Sequence, residues 1–163
     1  MSKGIKAVFL TKLTDVDTRD LEGVGTIRIE GSKVYKYVKI AHDGDTVAGA
    51  KGDPVAYEAV DGYSNHHVVI DLADADNPAF CAGVLQGTVA GVDGTSYYGW
   101  IQVKGEATLL TSVTNAAAGA PCTMVATDKT WQKAAEADST AVYKQVCGIS
   151  INTTTGVVVD CPW

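Results

Sequence analysis

The chain has 163 residues, enough for one domain with a sizeable core and no need of covalent staples. At 46% hydrophobic and 20% charged it is too apolar for a disordered chain, and its formal charge of −6 argues against unspecific nucleic-acid binding. Val and Thr together number 38 against 7 Leu, with 17 Gly, so short strands joined by turns are expected and an all-helical fold is disfavoured.

Residues 1–23 contain one strand-like run, Ile5 to Leu10, and then the polar stretch TDVDTRDLEG. They read as an extended N-terminal arm. The apolar run Ala7-Val8-Phe9-Leu10 after Lys3 and Lys6 is shorter than the ~7–15 residues of a secretory signal, so assembly in a cytoplasm is expected. No apolar run approaches the ~20 residues of a membrane span, so no membrane contact is expected.

Strand patterns follow at 24–30 and 33–40, joined by Gly31-Ser32, a connection of hairpin length. A loop of small residues leads to Pro54 and strands near 55–60 and 66–72, and the acidic loop DADNP ends at Pro78. Strands are then predicted at 80–90, 97–104 and 106–113, split at Val92-Asp93-Gly94 and at Lys104-Gly105. The remainder offers strands near 122–127, 142–151 and 156–161. Only Lys129 to Ala137 has helical character, with Asp128 as N-cap and Trp131, Ala134 and Ala135 on one face.

The fold class predicted is mainly β. We expect a compact sandwich or barrel-like domain of about ten short strands over 24–163, beside the arm at 1–23. At most one short helix is expected. A weak internal echo divides the domain into units 24–112 and 113–163. GDPVAYEAVD (Gly52 to Asp61) aligns with GAPCTMVATD (Gly119 to Asp128), and Cys81-Ala82-Gly83 with Cys147-Gly148. Each unit would open with a Gly-x-Pro turn into a strand and close with a strand kinked by a small residue.

The residues that carry chemistry are sparse. His66 and His67 are adjacent, so on a strand they face opposite sides and cannot form a two-histidine metal face. Asp15-Asp17-Asp20, Asp43-Gly44-Asp45 and Asp71-Asp74-Asp76 read as solvated acidic loops, since none continues into a calcium-binding loop with a terminal Glu. No nucleophile motif or phosphate-cradling loop is present, so neither an enzyme nor a bound cofactor is expected. Cys81, Cys122, Cys147 and Cys161 lack metal-ligand spacing. They read as small buried hydrophobes, Cys147 alternating with Ile149 and Ile151, and Cys161 with Val157 and Val159. Disulfides stay open only for a particle outside a cell.

The phase of the aromatic residues says more. Alternation in KVYKYVKI puts Tyr35 and Tyr37 opposite Val34, Val38 and Ile40, and YYGWIQVKG puts Tyr98 and Trp100 opposite Ile101 and Val103. These four rings are candidates for a buried protein–protein interface, because Tyr and Trp are enriched at interface centres.

The ordered runs VGTIRIEGSKVYKYVKI (24–40), GDPVAYEAV (52–60), FCAGVLQGTV (80–89) and YYGWIQVKGEATL (97–109) together resemble the head decoration, or cement, proteins of tailed bacteriophages. The resemblance implies a small β-rich virion protein, usually trimeric, on the capsid exterior, where it bridges neighbouring major capsid subunits at or near local three-fold positions. Its partners would be the major capsid protein and itself. The arm, with Lys3, Lys6, Phe9, Asp15, Asp17, Arg19 and Leu21, is then the candidate capsid-reaching element. The alternative is a carbohydrate- or host-binding β-module of a virion fibre, using Tyr97, Tyr98, Trp100 or Trp131 to stack on sugars.

Overall fold

The computed structural model describes residues 8–41, 46–58, 62–71, 80–124, 129–134 and 146–161. Among these, strand makes up 48% and helix 3%, so the cores must come from packing sheet against sheet. In chain order the elements are β1 (Val16–Asp17), β2 (Ile27–Glu30), β3 (Lys33–Ala41), β4 (Pro54–Tyr57), α1 (Gly62–Asn65), β5 (His67–Val69) and β6 (Cys81–Leu85). Then come β7 (Ser96–Thr108), β8 (Pro121–Met124), β9 (Trp131–Lys133), β10 (Val146–Ser150) and β11 (Gly156–Asp160).

The strands follow one another as β2-β3-β5-β4-β6-β7-β11-β10-β8-β9, with β1 laid on β7. Because β3 also pairs with β7, the strands β3, β5, β4, β6 and β7 close into a five-stranded barrel. The hairpin expected at Gly31-Ser32 is present, with Glu30 opposite Lys33.

Period-2 alternation fills this barrel. Val34, Val38 and Ile40 from β3 meet Ile101 and Val103 from β7, together with Val55, Tyr57, Val68 and Leu85. The outward residues of β4 to β6, among them Ala56, Val69, Cys81 and Val84, bury against a second core. That core is completed by Cys122, Trp131, Cys147, Val157, Val159 and Cys161 from the C-terminal strands. Burial on both faces explains why β4 and β6 read as near-continuous apolar runs rather than alternating ones.

Strand β7 differs from expectation. The two strands predicted on either side of Lys104-Gly105 are one strand, whose first part pairs with β3 and whose end, from Lys104, pairs with β11. Gly105 sits at φ +96°, and a Cβ there would lie 2.7 Å from the Ser32 carbonyl oxygen. The glycine therefore permits a change of partner strand without a break in the ladder. Gly105→Ala is expected to cost about 2 kcal/mol in urea unfolding, and an unchanged midpoint would show that the bend tolerates a side chain.

The helix predicted over 129–137 is also corrected. Its described part carries β9, antiparallel to β8, and Trp131 is fully buried in the second core. Pairing to an open strand edge and burial of an indole outweigh a weak helical pattern. Residues 135–137 lie outside the described residues. The short helix α1 arises instead at Gly62–Asn65, where no helix was predicted.

The internal echo has a structural counterpart. Gly52 and Gly119 both take positive φ before the strands opened by Pro54 and Pro121. In β4 on β6, Val55 lies opposite Gly83, and in β8 on β10 the corresponding Cys122 lies opposite Gly148. Both pairs carry a register shift beside this position.

Candidate interaction site

The four aromatic candidates gather on the outer side of the β3–β7 seam, and the chain covers them itself. Tyr35, Tyr37 and Trp100 are buried, with Tyr98 and the N-terminal residues Phe9 and Leu13 packed against them. The Trp100 ring meets Phe9 edge-on at 5.5 Å and Tyr37 at 5.1 Å. Its indole N–H donates to Thr11 Oγ1 at 2.9 Å. Both the amide and the hydroxyl of Thr11 donate to Glu22 Oε1, at 2.6 and 2.7 Å. Arg28, paired with Glu30, donates to the Thr11 carbonyl at 3.1 Å and lies 4.9 Å from the centre of the Phe9 ring.

Residues 8–23, the described part of the extended arm expected at 1–23, thus pack on their own sheet through Phe9 and Leu13, and β1 pairs with β7 at Val16–Gly99 and Asp17–Tyr98. The expected outward aromatic face becomes interior for a physical reason. Three large rings left in water cost more than ordering a short segment over them. Asp15 accepts from the Lys12 amide, Asp17 holds Arg19, and Asp20 accepts from the Gly23 and Val24 amides, so these carboxylates fix local turns. The hydrogen-bonded Arg19 guanidinium keeps the Asp17 carboxyl below its ordinary pKa. Leu21 and Tyr37 line an open cleft of about 530 Å³ with Thr14, Val16 and Thr88. Lys3 and Lys6 lie outside the described residues.

The rings proposed for sugar stacking divide. Trp100 and Trp131 have no exposed surface, while Tyr97 and Tyr98 are half-buried at the start of β7.

A different face is open. Cys147 is buried, but the register shift between Val146 and Gly148 reverses the alternation, so Ile149 and Ile151 point outward instead of sharing the side of Cys147. Ile149 lies directly opposite Val158 of β11, which also points outward between buried Val157 and Val159. Val146, Ile149 and Val158 on β10–β11, and Ile151 just past the end of β10, are each between 42% and 49% exposed, so four branched aliphatic residues stand in water. Beside them runs a groove of about 420 Å³ between Ser32, Gly105, Gly148 and Val159, rimmed by Lys104 and Asp160, whose charges lie 3.8 Å apart. The reading of period-2 alternation missed this face because a bulge is invisible to it. The adjacent Cys147-Gly148 pair, echoing Cys81-Ala82-Gly83, was the available signal.

A second residue was missed although its parity showed it. Lys36 shares the inward side of β3 with Val34 and Val38, is only 3% exposed, and donates to the Tyr57 hydroxyl at 2.9 Å. Its ammonium faces the Tyr57 and Tyr63 rings at 5.0 and 5.6 Å, and burial pushes its pKa down. His66 follows α1 with φ +55° and is also shifted down, first by burial and then by Lys36. His67 Nδ1 lies 3.2 Å from Glu58 Oε2. The two histidines therefore have separate structural settings. Among the described residues no group of His, Cys, Asp or Glu is arranged to hold a metal ion, and no helix is long and apolar enough to cross a membrane. Asp43, Asp45, Asp74 and Asp76 lie outside the described residues.

No family model matches the sequence, and no curated protein or solved structure is significantly similar to it.

Proposed function

We propose that the chain is a structural virion protein that binds the exterior of a phage capsid and stabilises it by bridging neighbouring major capsid subunits, as a trimer at local three-fold positions. The observation that carries this reading is the aliphatic surface of Val146, Ile149 and Val158 on β10–β11, with Ile151 just past β10, uncovered in the protomer. Its occupant is the major capsid protein. Contiguous exposed apolar surface on a small acidic domain favours burial against another protein, and the groove beside it offers a recess for a side chain from that partner. The resemblance of residues 24–109 to head decoration proteins supports the same partner.

The task needs no catalytic residue or cofactor, and neither nucleic acid nor a membrane enters it. Each copy adds buried area across a seam between capsid subunits, and repetition over many sites makes modest local energies count against internal pressure. The chain would be made in the host cytoplasm and act on the capsid exterior. The sugar-binding alternative is weakened by the burial of Trp100 and Trp131, which removes two of its four stacking platforms.

Mixing the purified protein with expanded heads that lack it, then imaging occupancy, tests the proposal. Ile149→Asp places a charge in the centre of the exposed face and is expected to lower head affinity at least tenfold, with unfolding changed by less than about 0.5 kcal/mol. Full occupancy by Ile149→Asp would reject this face, and no binding by the parent protein would reject the function. Light scattering of the free protein reads the expected trimer.

A further inference from the structure

All four cysteines are thiols, and three of them converge where the barrel wall meets the C-terminal strands. Cys81 opens β6, Cys147 lies in β10, and Cys161 follows the last residue of β11. Cys81 Sγ and Cys161 Sγ are 3.1 Å apart although the residues are separated by 80 positions. Cys161 Sγ also lies 3.6 Å from the Cys147 carbonyl oxygen, and the Cys147 thiol hydrogen-bonds to Cys81. Cys122 stands in a different setting, its thiol donating to the Ala120 carbonyl at 3.6 Å.

We infer that Cys81 and Cys161 are a redox-active pair that closes into a disulfide when the folded chain meets a small-molecule disulfide such as oxidised glutathione. A disulfide needs about 2.05 Å between sulfurs, so closure asks the two thiols to approach by about 1 Å, within reach of side-chain rotation and a small strand shift. Cys81 lies in a strand paired on both sides, to β4 and β7, whereas Cys161 sits just past a strand end, held by its amide to the Val103 carbonyl at 2.9 Å. Local opening therefore presents Cys161 first.

The steps balance. The Cys161 thiolate attacks one sulfur of the small disulfide, forms a mixed disulfide and expels one small thiolate. The Cys81 thiolate then attacks the Cys161 sulfur and expels the second. The two protons lost by the cysteines end on the two released thiols, and the two electrons given up by the pair reduce the small disulfide. Burial, followed by the neighbouring Cys147 and Cys161 thiols, holds Cys81 well above the ordinary thiol pKa. Exchange is consequently slow at neutral pH and faster in alkali.

The link would tie the barrel to the C-terminal sheet across 80 residues, a long loop whose closure restricts the unfolded chain strongly. Such a pair stays open in a reducing cytoplasm and closes in an oxidising exterior, so the fold would tighten after release from a cell. This inference does not rest on capsid binding, and its test uses the protein alone.

The full chain is incubated with oxidised glutathione at pH 7 and pH 9, quenched with acid, alkylated in denaturant without reductant so that the buried thiols react, and mapped by peptide mass. The expected result is loss of two alkylatable thiols, a linked pair of peptides containing Cys81 and Cys161, and a Tm raised by about 10 °C that a reductant reverses. Cys147→Ala should still form the link, and Cys161→Ala should leave Cys81 alkylatable. Four alkylatable thiols after prolonged oxidation, or a link through Cys147 or Cys122 in its place, overturns the inference. If a variant fails to fold, the peptide map of the parent chain decides alone.

Discussion

Trp100→Ala is expected to destabilise the isolated protomer by about 3–5 kcal/mol, the usual cost of deleting a buried aromatic side chain. Trp100 is fully buried, touches Phe9 and Tyr37 edge-on, and donates its indole N–H to Thr11. The loss is a large share of the ~5–15 kcal/mol that holds a typical domain together, and should lower Tm by about 10 °C or more. It should also release residues 9–22, seen as faster hydrogen exchange at the Thr11 amide, whose acceptor Glu22 belongs to the same segment. Trp100→Phe keeps most of the packing and loses the N–H donor, so its cost should fall to about 1–2 kcal/mol. A Trp100→Ala protein as stable as the parent, yet unable to assemble, would place the ring at a subunit interface. Deleting residues 1–22 should likewise weaken the fold, since it uncovers the same rings.

Lys36→Met is expected to act in the opposite direction, stabilising the protein by about 1–4 kcal/mol. An ammonium group inside the barrel has given up its water for one phenol oxygen and two ring faces, whereas Met fills a similar volume without that cost. The pH dependence gives a second readout. Burial lowers the folded pKa of Lys36 below its ordinary 10.5, so between the two values the unfolded chain holds a proton that the folded chain has released. Parent stability should therefore rise with pH in that window, and Lys36→Met should lack this rise.

His66, depressed below its ordinary 6.5, loses folded-state stability as pH falls from 6.5 toward its folded value. Removing the Lys36 charge should move the His66 titration upward, measurable by NMR. Urea midpoints at pH 7 and pH 9.5 decide the main effect. A less stable Lys36→Met would mean that the ammonium's contacts with Tyr57 and Tyr63 exceed its desolvation cost.

Much of the fold was legible in the residues, and the misses have identifiable causes. The hairpin at Gly31-Ser32 follows from loop length, and the aliphatic and aromatic sides of β3 and β7 follow from the alternation of Cβ along a strand. Lys104-Gly105 was misread as a turn because a left-handed glycine can close a hairpin or bend one long strand. The region around Trp131 was misread as helix because its strand partner, β8, becomes available only after folding. The candidate site was less legible still. Tyr35 and Tyr37 on one strand, and Tyr98 and Trp100 on another, are legible as rings opposite the aliphatic residues. That the two sets meet, and which surface covers them, depends on the β3–β7 pairing and on where the N-terminal segment lies.

The sequence by itself determined the β class, the hairpin at Gly31-Ser32 and the two-sided character of β3 and β7, because all three depend on residues within a few positions of one another. Only the tertiary structure decided that β3 reaches β7 to close a barrel, that residues 8–23 cover the aromatic side, and that a register shift turns Ile149 outward while Cys147 stays inside. It also brought Cys81 and Cys161 within 3.1 Å. The reason is that parity is a local covalent property, whereas partner choice and register are set by which distant surfaces the chain must bury.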